Sequence, residues 1–217
     1  MSTSSGSNET TFSAMTAEQP VAQVACKRAS ARDRVFAAAT ALFYRRGISA
    51  VSVDSIAQEA GTTKMSLYRA FPGKDDLVAE CLKESDGGFW RWWDETVAPF
   101  ADDPRGALNA LFEGITAKGS TCERRGCAIG NASVEITDDS HPARQIVVAF
   151  SVEKRRRLRE IALALNAEEP DALADGLMLL MDGGYFSRLS LGVAGPSAGL
   201  PRAAKALVEA YAPSATT

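Results

Sequence analysis

The chain has 217 residues, of which 46% are hydrophobic, and a formal net charge of −3. This length and composition allow one well-packed core, or one core with a small additional module. No apolar run approaches the ~20 residues that a membrane-spanning helix needs, and the polar N-terminus lacks the basic start and apolar stretch of a secretory signal. The four cysteines are scattered along the chain, which predicts a cytoplasmic protein with reduced thiols.

Helical periodicity dominates the chain after an N-terminal tail of residues 1–28, which is rich in Ser, Thr and Glu and is expected to be disordered. No stretch shows the sustained alternation of a β-strand, so the pattern predicts an all-α fold. The pair Gly87 and Gly88 should weaken or bend the fourth helix, because glycine is a poor helix former. The expected helices span roughly residues 32–46, 53–60, 63–71, 75–97, 105–118, 127–137, 141–166, 170–191 and 201–211.

A short turn of three to four residues separates the second and third predicted helices. Ala57 stands where these helices would cross, and Gly61 supplies the positive φ that a tight turn requires. Leu67 follows six residues later and would pack the third helix onto the second. This spacing predicts a helix-turn-helix over residues 53–72, a motif whose second helix enters the major groove of DNA.

The third predicted helix has an inner face and an outer face. Helical spacing places Thr63, Leu67 and Phe71 on the inner face. Lys and Arg suit guanine edges and phosphates, a Tyr hydroxyl suits a phosphate oxygen, and Met can lie against a thymine methyl. We therefore interpret the outer face as a DNA-reading surface rather than as an ordinary solvated turn. It consists of Lys64, Met65, Tyr68 and Arg69, with Ser66 beside them.

Charge is distributed unevenly along the chain. From Lys27 to Lys74 there are nine basic residues and three acidic ones, which gives this block a net charge of +6. From Asp75 onward the net charge is −7. A basic block joined to an acidic remainder favours a module that binds a polyanion, attached to a body with another role.

Residues 30 to about 90 resemble the TetR family of transcriptional regulators. The resemblance lies in the segments RVFAAATALFYRRG, SVDSIAQEAG and TTKMSLYRAFPGKDDLV. It implies an N-terminal three-helix DNA-binding domain, here residues 29–74, and a C-terminal helical domain for ligand binding and dimerisation, here residues 75–213. It also implies a homodimer that binds a palindromic double-stranded DNA operator, and a small-molecule effector.

The resemblance implies roles for individual residues. Ser52, Tyr68 and Lys74 stand at positions that contact DNA phosphates in the family. Gly73 stands where a capping serine is more usual, so the fourth helix should begin slightly less firmly. The expected DNA-binding residues are Ser52, Thr63, Lys64, Met65, Ser66, Tyr68, Arg69 and Lys74.

The body after residue 75 is rich in aromatic and Met side chains, which suit an apolar ligand cavity but equally a core or a dimer interface. Residues 172–192 combine small residues with Leu and Met at helical spacing. We expect this segment at the dimer interface, together with the final helix. The candidate ligand-pocket residues are Phe89, Trp93, Phe112, Met178, Met181 and Tyr185.

The only histidine, His141, is expected to be a loop residue at the start of a helix rather than a ligand of any group. Asp139 or Ser140 would cap that helix, and Pro142 would fit its first turn.

Two other features have simple interpretations. Cys122 and Cys127 could form a redox pair, but free structural thiols are favoured. The basic run at 154–160 is expected to be a solvated helix face, with Glu153 and Glu160 as partners, rather than a nucleic-acid patch.

These observations together predict a transcriptional repressor that an apolar small molecule releases from DNA. An all-helical enzyme is the alternative, but the sequence holds no Ser/His/Asp or Cys/His set, no metal cluster and no phosphate-binding glycine loop, and no cofactor is expected. A helical adaptor would explain the acidic body and leave the basic block without a purpose.

Overall fold

The computed structural model describes residues 29–118, 126–192 and 194–213, and within these residues it contains helices and no strand. The predicted all-α class is confirmed. The tail at 1–28 and Cys122 lie outside the described residues. Two short 3-10 helices, Ala98–Phe100 and Pro196–Gly199, accompany the α-helices. These are α1 Ala31–Arg46, α2 Val53–Glu59, α3 Lys64–Ala70, α4 Lys74–Val97, α5 Pro104–Lys118, α6 Ala128–Glu135, α7 Arg144–Ala164, α8 Pro170–Leu191 and α9 Leu200–Tyr211.

Helix α4 runs without interruption through the glycine pair, so the glycines do not break it, and the expected weakening or bending stays a prediction. The Trp90 indole donates a hydrogen bond to Asp86 at 2.7 Å, which ties together the turn that contains both glycines. Phe89 and Trp90 then pack on Phe150 of α7, with ring centroids 4.9 and 5.3 Å apart. This packing outweighs the poor helix propensity of glycine. As predicted, Gly73 gives α4 no side-chain cap.

The start of α7 differs from the sequence expectation. The helix begins at Arg144 and has no side-chain cap. The Asp138 carboxylate accepts from the backbone N–H of Ser140 at 2.8 Å, and His141 Nδ1 accepts from the backbone N–H of Ala143 at 3.0 Å. These side chains take the amide protons and stabilise two successive turns, which delays the helix past Pro142.

Two hydrophobic cores meet along α4. The first joins α1, α2, α3 and the first half of α4, and it continues into α6 and α7 through residues such as Ile129 and Phe150. The second joins the end of α4 with α5, α7, α8 and α9 around side chains such as Trp93 and Leu177. The first three helices therefore share their core with the body. No helix among the described residues is long and apolar enough to cross a membrane.

Candidate nucleic-acid interface

The turn between α2 and α3 is held by backbone hydrogen bonds and by α1. Gly61 has a φ of 58°, as its predicted role requires. The N–H of Thr62 donates to the carbonyl of Ala57 at 3.0 Å. The Arg34 guanidinium of α1 donates to the carbonyl of Ala60 at 3.1 Å. These contacts fix α3 relative to α1 and α2, which a helix that reads DNA requires.

Both helices of the motif begin with a side-chain cap. The Ser52 hydroxyl accepts from the N–H of Ser55 at 3.2 Å, at the start of α2. The Thr63 hydroxyl accepts from the N–H of Ser66 at 3.2 Å, at the start of α3. The caps satisfy amide protons that a helix start leaves unpaired. Thr63 is exposed, so the prediction that it faces inward is wrong.

The rest of α3 divides as its sequence predicts. Leu67 and Phe71 are fully buried in the first core. Met65 exposes 67% of its surface and Tyr68 exposes 48%, and both rank among the large hydrophobic side chains that the fold leaves uncovered. Arg69 is also exposed. Met65 and Tyr68 therefore present apolar and hydroxyl groups on the same exposed face as the Arg69 guanidinium.

Several cations of the basic block already have acidic partners. Lys64 Nζ lies 2.8 Å from Asp54 Oδ1, and this hydrogen bond raises the pKa of Lys64 above its usual value. Arg45 pairs with Glu59 at 3.1 Å. Arg32 pairs with Glu80 and lies over the Phe71 ring. Among the described residues, Arg46, Arg69 and Lys74 form no ion pair, which leaves these three cations available to an external anion.

Two polar contacts join the DNA-binding side to α6. The Tyr44 hydroxyl of α1 donates to the carbonyl of Gly126 at 3.1 Å, and the N–H of Ser49 donates to the Glu135 carboxylate at 2.9 Å. Between these contacts lies a cavity of about 80 Å³ whose walls come from α1, α4 and α6. His141, beyond α6, approaches Asp75 at the start of α4, with Nε2 3.4 Å from Oδ1. Helix α6 and the residues that flank it thus contact α1, the loop before α2 and the start of α4.

The six residues proposed for the ligand pocket belong to the second core or pack against it. Trp93, Phe112 and Met181 are buried within it, at 2%, 0% and 0% exposure. Phe89 packs against its neighbouring tryptophans, and Met178 and Tyr185 lie against the same core. Trp93 also forms part of a surface groove of about 330 Å³ between α4, α5 and α7. The six residues are brought together as one region, and their role in binding stays a prediction.

The basic run on α7 is a face of ion pairs, as predicted. Arg156 donates to Glu153 at 2.7 Å and also pairs with Glu160, while Arg157 pairs with Glu153 and Asp94. The Arg156 hydrogen bond, followed by that of Arg157, lowers the pKa of Glu153 to about 2. Lys154 departs from this pattern, because it is buried. In the part of the chain that the structure describes, no three His, Cys, Asp or Glu side chains cluster as metal ligands do.

The geometry agrees with known proteins. Residues 35–81 match the profile of the family described as bacterial regulatory proteins, tetR family. A crystal structure of a putative TetR transcriptional regulator from Streptomyces avermitilis is 30% identical, with a TM-score of 0.71 over 84% of this chain and 98% of that one. The chain belongs to the TetR family. A TetR-family regulator from Streptomyces coelicolor, SCO4454, has a TM-score of 0.75 at 27% identity, over 84% of this chain and 96% of that one.

The match to curated members of the TetR family is confined to part of their length. The regulator AcrR of Shigella flexneri is 31% identical over 94 residues, which are 43% of this chain and 44% of AcrR. The chain thus matches less than half of this relative. The family profile matches the part of the chain that contains the helix-turn-helix. The structural similarity to solved TetR-family proteins extends over the body as well.

Proposed function

We propose that this chain is a sequence-specific DNA-binding transcriptional regulator rather than an enzyme. It acts in the cytoplasm as a homodimeric repressor, and a small molecule releases it from a palindromic operator. The observation that carries the proposal is the outer face of α3, where exposed Met65 and Tyr68 lie next to Arg69. This face combines apolar, hydroxyl and guanidinium groups, which are the contacts that read base edges in a major groove.

Free cations around α3 support the proposal. Arg69 at the end of α3 and Lys74 at the start of α4 lack acidic partners among the described residues. Cations in these positions can neutralise phosphates on either side of the groove. Ser52 and Ser66 add hydroxyl groups at the two helix starts, where backbone N–H groups also favour a phosphate.

An uncovered apolar surface on the body supports a homodimer. Helices α7 and α8 pack together and expose large apolar side chains, whereas α9 turns residues such as Lys205 outward. We therefore assign the dimer face to α7 and α8 instead of α8 and the final helix. Two symmetric copies of α3 would then read the two halves of a palindrome. The exposed apolar residues of these two helices include Val148, Val152, Leu179, Phe186 and Leu189.

Release by a ligand rests on the shared helix α4 and on α6. Helix α4 contributes to both cores, so a ligand that favours one tilt of α4 also changes the spacing of the two recognition helices. The ligand can shift this equilibrium only by its difference in affinity between the two tilts. The Ser49–Glu135 hydrogen bond supplies a second path between the body and the helix-turn-helix.

The proposal is tested by selecting bound duplexes from a random DNA pool and titrating the selected operator at several salt concentrations. We expect a dimer whose affinity falls steeply with salt, because each neutralised phosphate releases counterions. Arg69→Ala should cost about 1–3 kcal/mol on the operator and less on random DNA. Tyr68→Phe and Lys74→Ala should weaken binding to both DNAs alike.

Arg202→Ala, an exposed change on α9, is the matched control and should leave DNA binding unchanged. Selection that enriches no sequence, or an affinity indifferent to salt, would refute the proposed function. Equal losses on operator and random DNA for Arg69→Ala would instead assign base reading to Met65 and Ser66.

A further inference from the structure

Arg188 is a buried cation without a counterion among the described residues. It lies on α8 and exposes 7% of its surface. Its Nη2 atom donates to the carbonyls of Ile115 and Thr116, each at a long 3.4 Å. Its Nε atom is buried and has no hydrogen-bond partner in the part of the chain that the structure describes. No acidic side chain in the described part of the chain forms an ion pair with this guanidinium.

Burying a cation without a counterion lowers the stability of a folded protein. A charge that leaves water loses its hydration, and buried charges are normally paired and fully hydrogen-bonded. The two carbonyls belong to the last turn of α5, where the helix dipole is negative, so they orient the guanidinium. They do not neutralise it, and at 3.4 Å they are weak hydrogen bonds. The Nε edge remains available to an acceptor.

Among the described residues, the groups around Arg188 leave one positive charge in excess. Lys154, which is buried on α7, is neutralised by Asp182 of α8 at 2.5 Å. Burial raises the pKa of Cys127, at the start of α6, so its thiol is neutral. Burial likewise raises the pKa of Tyr185, an effect that nearby Arg188 opposes, so its hydroxyl keeps its proton. A single negative charge would balance this group of side chains.

Tyr185 lies three residues before Arg188 on α8, so both side chains leave the helix on the same side. No hydrogen bond joins the Tyr185 hydroxyl to any described residue. The hydroxyl can donate to an anion that the Nε–H and one Nη–H of Arg188 hold side-on. The side chains of Ile115 and Met181 lie fully buried on the same two helices, so the surroundings of this cation are apolar.

We propose that Arg188 and Tyr185 bind the carboxylate of the effector, so that the molecule which releases this regulator is a monoanion with an apolar body. The inference rests on the proposed function and narrows it, since the sequence alone predicts only a largely apolar ligand. The carboxylate supplies the missing counterion, and an apolar ligand body matches the apolar surroundings of the cation.

The test uses three matched pairs of probes on the full-length protein: benzoate, 3-phenylpropanoate and octanoate, each against its neutral amide. Dissociation constants come from tryptophan fluorescence, and thermal shifts are recorded in parallel. We expect at least one carboxylate to bind about tenfold or more tightly than its amide, because hydrogen bonds to charged groups are strong. Arg188→Met should abolish this preference, and the exposed Arg202→Met should retain it.

The thermal stability of the protein without any probe distinguishes a binding role of Arg188 from a purely structural one. If the counterion of Arg188 is an external anion, the Arg188→Met variant measured without a probe should have a Tm equal to or above that of the wild type, because the substitution removes an unpaired buried charge. A lowered Tm with an unchanged preference for carboxylates would overturn the proposal. So would equal binding of all acids and amides, or a thermal shift that sodium chloride alone reproduces.

Glu123→Gln tests a carboxylate from the chain itself, since Glu123 lies outside the described residues. A loss of stability in Glu123→Gln that disappears in the Arg188→Met background would assign the counterion to Glu123 and overturn the proposal. Operator binding is measured separately without probes. Its absence would refute the proposed function, whereas the preference for carboxylates is judged on ligand binding alone.

Discussion

At the scale of single residues, Asp54 holds the Lys64 ammonium group in the free protein, with 2.8 Å between Oδ1 and Nζ. Asp54→Asn removes the acidic charge and releases Lys64 toward DNA. We expect affinity for duplex DNA to rise about two- to tenfold at low salt, with a steeper dependence on salt, because one more cation can neutralise a phosphate. Fluorescence anisotropy over a salt series measures both quantities.

Asp102→Asn is the control for this prediction. Asp102 is exposed between α4 and α5, and its substitution changes the net charge by the same amount at a distance from α3. An equal gain in DNA affinity from Asp102→Asn would show that net charge alone matters. An unchanged affinity in Asp54→Asn would show that Lys64 does not reach DNA.

The outer face of α3 could be predicted because helical periodicity fixes which residues share a side, as the exposure of Met65 and Tyr68 confirms. Thr63 was misassigned because a capping residue precedes the first helical residue, so the periodicity does not apply to it. The Lys64–Asp54 pair joins two helices, and Arg188 lacks a counterion for reasons of packing. Neither the ion pair nor the missing counterion can be predicted from the spacing of residues along the chain.

At the scale of elements, helix starts were predicted well where the signal is a capping side chain followed by a periodic apolar face. Ser52 before α2 is an example. The start of α7 was missed because Asp138 and His141 cap turns instead of the helix. The residue types in this segment are compatible with a capped helix and with capped turns. The packing of the chain that follows decides which of the two forms.

Two glycine substitutions should have opposite effects on stability. Gly61→Ala places a Cβ in open space but at a positive φ, so we expect it to lower the free energy of unfolding by about 1–2 kcal/mol. Gly88→Ala lies within α4, where the new Cβ meets only the end of the Arg91 side chain at 3.7 Å. It should raise the free energy of unfolding by about 0.5–1 kcal/mol.

Urea denaturation followed by circular dichroism measures both changes, each against the wild type. The two substitutions are chemically identical, so their difference isolates the backbone conformation. A neutral Gly61→Ala would mean that the turn relaxes to a negative φ, and operator affinity should then fall because α3 shifts.

At the scale of the whole molecule, the sequence predicted a boundary near residue 74 from the change in charge and from the family resemblance. The first core crosses this boundary, since Ile129 and Phe150 pack with the residues of α1 and α4. Periodicity identifies an apolar face but not the helix that covers it. The contacts that join α1 and the loop before α2 to α6 and to Gly126 just before it therefore required the structure.

The uncovered face of α7 and α8 leads to the last prediction. Leu179 exposes 73% of its surface on α8, more than any other large apolar side chain among the described residues, so we expect it within the dimer interface. Leu179→Asp buries a charge there if the dimer forms, and we expect a monomer at micromolar concentration. Operator affinity should fall by about a hundredfold or more, because each monomer then binds its half-site independently. Sedimentation and operator titration measure the two effects.

Val134→Asp provides the comparison, since Val134 is 64% exposed on α6, outside this face. The same charge at a similarly exposed valine should leave the protein dimeric and its operator affinity within about twofold of the wild type. If Leu179→Asp remains a dimer while Val134→Asp dissociates, the interface lies on the α6 side. In that case the two copies of α3 would have a different separation, and the half-site spacing of the selected operator would reveal it, because this spacing matches the distance between the recognition helices.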